Sequence, residues 1–171
     1  MTADKTFEFD LIFALPEGHA DEDAILDDLF NAGFDDAAVG IGASGMIGLS
    51  LTRSGADAEA VISDAAERAA NALPKGSMLR EVKPDLVSLA DVAARLNVSR
   101  QALQKRKMPA PSLGGLYRAS EMMPYLEMPP GKVRDALKGA HYWFAAASGA
   151  QAVNAKLSLG TSHSVEKKLR A

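Results

Sequence analysis

The side chains best placed for chemistry in this sequence are Arg100, Gln101, Gln104 and Lys105. Wound as a helix, this stretch puts Gln101 and Gln104 on one outward face, with Arg100, Lys105 and Lys107 flanking them. Ser99, Ala102 and Leu103 turn to the opposite side. A glutamine can bond two atoms on the edge of an adenine, an arginine can do the same for a guanine, and a lysine suits guanine or phosphate. The face therefore has the chemistry to read a DNA groove. Arg106 projects inward near the helix end, where its stem can run along apolar surface. The plainer alternative is a solvated basic face on an ordinary amphipathic helix.

The flanking sequence decides between the two. Pro84 marks a boundary. Ser88 can cap a helix, with Asp91 three residues on completing a capping-box-like pair. Leu89, Val92, Ala93 and Leu96 form one apolar stripe. Asn97 suits the helix exit, Val98 plugs the turn and Ser99 caps the next helix, predicted over 99–107. Pro109 and Pro111 stop it. Leu113-Gly114-Gly115-Leu116-Tyr117-Arg118 predicts a hairpin with a Gly-Gly turn, and Ser120 then caps a helix from Glu121 to about Leu126. Cap, turn, basic face and hairpin fall in the order of a winged helix-turn-helix.

At these residues, about 86–126, the chain resembles the mercury-resistance-regulator (MerR) and phage-excisionase type of winged helix-turn-helix. The resemblance implies that the second helix enters the major groove, making Arg100, Gln101, Gln104 and Lys105 the groove candidates. It also implies a wing on the neighbouring backbone, with Tyr117 and Arg118 as its contacts. The run Met108-Pro109-Ala110-Pro111-Ser112 departs from the family's pattern as an unusually proline-rich entry to the wing.

Charge separates the chain into halves. Residues 1–84 carry 16 acidic and 6 basic side chains, and residues 85–171 carry 6 acidic and 13 basic, so nets of −10 and +7 make up the overall −3. The basic half is suited to an anionic partner, and the acidic half is repelled by phosphate.

The acidic half predicts strands and helices in the order βαββαβ. Phe7, Phe9, Leu11 and Phe13 alternate with their neighbours as a strand does. Asp21 or Asp23 caps a helix to about Ala32, with Ile25, Leu26, Leu29 and Phe30 inward and Gly33 closing it. Short strands follow at Ala37–Ile41 and Ile47–Thr52, then an Ala-rich helix over Asp57–Leu73 and a final strand at Met78–Lys83. That order predicts a ferredoxin-like sandwich over residues 1–83. The expected fold class is thus α+β: this sandwich, a winged helix-turn-helix over 84–128 and a helical tail over 129–171.

Other chemistry is poorly served. The chain has no cysteine, which excludes disulfides, cysteine-bound zinc and thiol catalysis. Gly40-Ile41-Gly42-Ala43-Ser44-Gly45 spells a dinucleotide fingerprint but runs into a strand, not a helix, and reads as a turn. His19 and His141 each lack a second ligand at metal spacing, and His163 lies in a polar Gly-Thr-Ser-His-Ser tail. Asp21, Glu22, Asp23, Asp27 and Asp28 read as a solvated helix face, without the loop of a calcium site. No catalytic residue, cofactor or metal is expected, and the chain is not expected to be an enzyme.

Lys132 to about Leu157 predicts one long helix, with Val133, Ala136, Leu137, Ala140, Phe144 and Ala147 as its stripe. It serves either as a dimerisation or partner helix or as packing for the chain's own N-terminal unit. A homodimer would double the DNA contacts. Glu166–Arg170 ends the chain as a frayed terminus or a phosphate-contacting arm. No apolar run reaches membrane-spanning length and the first ten residues lack a signal-peptide pattern, so the expected compartment is the cytoplasm. The expectation is a transcriptional repressor or autoregulator bound to double-stranded DNA. The alternative is an antitoxin-like or inhibitor-like protein whose acidic domain holds a basic partner while the helix-turn-helix autoregulates.

Overall fold

A computed structural model of the chain describes residues 3–19, 21–42 and 44–160. His163 and the basic end at Glu166–Arg170 lie outside the described residues. The fold is mixed α and β, with a four-stranded antiparallel sheet and a long C-terminal helix.

Strand β1 (Lys5–Ala14) is the centre of the sheet, because its alternation buries Phe7, Phe9, Leu11 and Phe13 on one face. It pairs along its whole length with β3 (Met46–Gly55), from Lys5↔Gly55 to Ala14↔Met46. On its other side β4 (Met78–Lys83) covers only Asp10 to Ala14. β2 (Ala38–Ile41) lies outside β3, so the order is β2-β3-β1-β4. The glycine-rich segment is the β2–β3 turn, with the Gly42 N–H bonded to Met46 O at 2.8 Å.

Helices α1 (Glu22–Leu29) and α2 (Ala58–Ala72) close the apolar face, with Ile25, Leu29, Ile62, Ala65 and Ala69 in one core with the phenylalanines. Asp21 and Asp57 cap them through the amides of Ala24 and Ala60. α1 is shorter than expected. It passes into a wide π turn over Phe30–Phe34, with Gly33 at φ 93°. Ile25 and Leu29 alone meet the core, and Phe34 on the wide turn fills the next inward place. Leu26 and Phe30, expected inward, point to solvent instead.

The chain then forms a two-stranded ribbon of β5 (Leu86–Val87) and β6 (Tyr117–Arg118), with α3 (Leu89–Leu96) and α4 (Arg100–Gln104) between them in sequence. α3 begins in a capping box of Ser88 and Asp91 and ends at Asn97 with φ 52°. α4 stops at Gln104 instead of Lys107. The Arg106 N–H bonds back to Leu103 O in a tighter turn, and the prolines beyond cannot donate to a helix. Gly114 and Gly115 both adopt positive φ, as a tight turn demands, and Leu116 N–H closes it on Leu113 O at 3.1 Å. After the turn Tyr117 and Arg118 pair with β5, and the arm before the turn contributes one backbone bond across it, from the Ser112 N–H to Leu116 O at 2.7 Å. Ser120 does not cap a helix. A 3-10 turn over Ala119–Glu121 leads to α5 (Met123–Glu127), whose start is set by Pro124, and the Ser120 hydroxyl meets Gln151 Oε1 at 2.6 Å.

The tail is not one helix. α6 (Lys132–Ala136), a 3-10 turn over Leu137–Ala140 and α7 (His141–Ser158) follow one another, with Gly139 at the break. α7 serves two cores. Phe144 and Ala147 join Val92, Leu96, Leu103 and Met122, while Ala146, Ala150 and Val153 join the sheet core. A helix buried on so many sides is a core helix. Its closest approach is at Gly149, where a Cβ would stand 2.7 Å from the Ala58 carbonyl carbon. Among the described residues no helix is long and apolar enough to cross a membrane.

Candidate nucleic-acid interface

α4 is a single short turn-and-a-half anchored from below. Leu103 is fully buried, Ala102 packs on the same core, and the Ser99 hydroxyl accepts the Ala102 N–H at 3.2 Å. With that side fixed, Arg100, Gln101, Gln104 and Lys105 are all exposed, as are Ser99 and Lys107. Among the described residues no ion pair engages Arg100, Lys105 or Lys107. Their charge is therefore available at the surface.

The next basic residue is withdrawn. The Arg106 guanidinium turns under the helix and donates to the carbonyls of Tyr125 at 3.2 Å and Leu126 at 3.0 Å. These carbonyls end α5, where a cation is favoured. The contact ties the exit of α4 to α5 and fixes the direction in which Lys105 and Lys107 leave.

The first helix of the pair is set by Ser88. Its backbone N–H reaches Asp91 Oδ2 at 2.8 Å and its hydroxyl reaches the same oxygen at 2.7 Å. The backbone bond first, then the hydroxyl bond, holds the Asp91 carboxyl below the usual carboxylate range against a small opposing effect of burial.

Tyr117 and Arg118 are placed differently. Tyr117 is half-buried against the second core. Arg118 donates from Nη1 to Asp85 Oδ1 at 2.7 Å, and Asp85 is almost wholly buried. Asn154 of α7 donates to the other Asp85 oxygen at 2.9 Å, and also bonds the Val82 N–H and C=O, each at 2.8 Å. Arg118 thus stands in the joint between β4, the ribbon and α7, on the wall of an open cleft of about 730 Å³. The structure gathers Ser99, Arg100, Gln101, Gln104 and Lys105 on α4 and its caps, leaves Tyr117 against the second core and leaves Arg118 in that joint.

Asp85 and Asn154 were not visible as partners in the sequence. They are 69 residues apart, and neither belongs to a motif. Lys132, Arg134 and Lys138 of the basic half are also exposed, on α6 and the 3-10 turn that follows it. No group of three or more potential metal-ligating side chains occurs among the described residues. No known protein family, curated protein or solved structure matches the chain.

Proposed function

We propose that the chain is a sequence-specific DNA-binding regulator of transcription, a repressor or autoregulator of bacterial or phage type. In this reading α3 and α4 are a helix-turn-helix, the Gly114-Gly115 turn with β6 is its wing, and the βαββαβ unit before them is a ferredoxin-like sandwich. α4 enters the major groove. Gln101, Gln104 and Arg100 read base edges, and Lys105 and Lys107 meet phosphate or guanine. The protein acts as a homodimer on two half-sites, because a helix of five residues makes few contacts alone.

The observation that carries the reading is the α4 surface itself. Five exposed side chains able to bond bases or phosphates stand on a helix rooted by buried Leu103, and among the described residues no carboxylate pairs with its cations. The reading rests on α4 more than on the wing, since Arg118 would have to leave buried Asp85 to reach phosphate.

Footprinting on the DNA upstream of the chain's own gene tests it. Protection by the wild type and its loss in Gln101→Ala/Gln104→Ala are expected, each bidentate pair contributing about 1–3 kcal/mol of discrimination. Absence of protection there and on every genomic fragment overturns the reading. Equal binding by the double variant would remove α4 as the reading face.

A further inference from the structure

We infer that the acidic outer face of α1 docks on the basic α4 face of a second copy of this chain, so that the protein associates head to tail and covers its own reading surface. α1 turns two large apolar side chains to solvent, Leu26 at 41% and Phe30 at 64% exposure. They lie one helical turn apart, on the flank of α1 beside the buried pair Ile25 and Leu29, and Phe30 keeps helical backbone at φ −58°. Asp23 and Asp27 share their stripe, so an acid–apolar row runs along the helix. No Lys or Arg occurs from residue 6 to residue 52, and the next cation along the chain, Arg53, is held by Asp36 at 2.8 Å.

Charge complementarity names the occupant. Within the chain, acid and base already meet where the two units join: Arg95 pairs with Glu8, and Lys156 with Glu59. Among the described residues no ion pair engages the α1 row, and of the exposed cations without one, Arg100, Lys105 and Lys107 are the set carried by α4 and its exit. Leu26 and Phe30 would pack on the aliphatic stems of those long cations, and the Phe30 ring offers its face to a guanidinium or ammonium. A contact of this kind joins two different patches, so it is heterologous and extends beyond a closed pair as concentration rises. The contact does not depend on the DNA reading. Only its competition with DNA does, because phosphates and the α1 carboxylates would seek the same cations.

Sedimentation velocity of the full chain without DNA tests it. Association at low salt that falls away at high salt is expected, as exposed charges require. Phe30→Glu removes the ring while keeping the acidic sign and is expected to weaken association about fivefold. Asp23→Lys/Asp27→Lys alone and Arg100→Glu/Lys105→Glu alone are each expected to sediment as monomers, and their mixture to associate again. These positions are all exposed, and circular dichroism checks that each variant keeps its fold. A wild type that stays monomeric at low salt and high concentration overturns the proposal. So does association untouched by both charge reversals, or a mixture that fails to associate. A monomer that binds a separate basic protein through Asp23 and Asp27 also overturns it, in favour of a foreign partner on the same face.

Discussion

The two units of this chain are built by opposite means. The sheet unit has long strands, a central one of ten residues, and a core filled by side chains of its own strands and helices. The α3–α4 unit has a two-stranded ribbon, helices of eight and five residues, and a core completed from the tail by Val133, Leu137, Ala140, Phe144 and Ala147. Short helices are marginal alone and depend on packing. The surface proposed to read DNA therefore sits on the less self-sufficient unit. α7, lodged in both cores, lends it the rigidity of the sheet.

The sharpest way to break this comparison is to cut into the shared helix. Phe144→Ala is expected to cost about 3–5 kcal/mol, like Phe9→Ala in the sheet core. The two should differ in where they act. In native-state hydrogen exchange, Phe144→Ala should expose the amides of α3 and α4 first, and Phe9→Ala should lower protection throughout. Equal patterns from the two variants would mean that the chain unfolds as one indivisible block.

Gly149→Ala probes the seam itself. A methyl group there meets the backbone of Ala58 and Glu59, which cannot swing aside as a side-chain tip can. A loss of about 1–3 kcal/mol in urea unfolding is expected. A neutral outcome would show that α7 can shift on α2 without consequence.

Arg106→Met separates the inward cation from its outward neighbours. Carbonyls at the end of α5 lose their donor, at a cost of about 1–3 kcal/mol. Lys105→Ala should leave stability nearly unchanged and, under the DNA reading, lower the salt slope of binding by about 1. If Arg106→Met left stability intact, the guanidinium would not be the tie described above.

The smallest expected effect lies at the α3 cap. The Asp91 carboxyl is held below its ordinary range in the fold, so the charged form is stabilised there. This contribution is complete above the unfolded carboxylate pKa of about 3.9 and fades as pH falls through the lower folded value. Asp91→Asn should flatten that part of the acid limb of stability and leave neutral-pH binding by α4 untouched. A wild-type acid limb in the variant would remove Asp91 as its source.

Legibility followed the range of the forces involved. The alternation of Phe7 to Phe13, the caps Ser88 and Ser99 and the left-handed Asn97 are local preferences, and each of these elements begins or ends where its residues direct. The exposure of Leu26 and Phe30 was not legible, because four apolar residues competed for one side of α1 and the wide turn after Leu29 chose among them. Lys132–Leu157 reads as one helix by periodicity alone, and the break at Gly139 serves two cores that periodicity does not know about. At the candidate site, the outward placing of Arg100, Gln101, Gln104 and Lys105 follows from spacing and buried Leu103. The turning inward of Arg118 does not, since it depends on Asp85 and on Asn154, far along the chain.

The sequence by itself determined the strands, the caps, the split of charge and the chemistry of the α4 face, because each depends on residue types within a turn or two of one another. Only the tertiary structure decided which cations are free. Packing alone brought Asp85 to Arg118, the α5 carbonyls to Arg106 and Glu8 to Arg95, and left Arg100, Lys105 and Lys107 to the solvent.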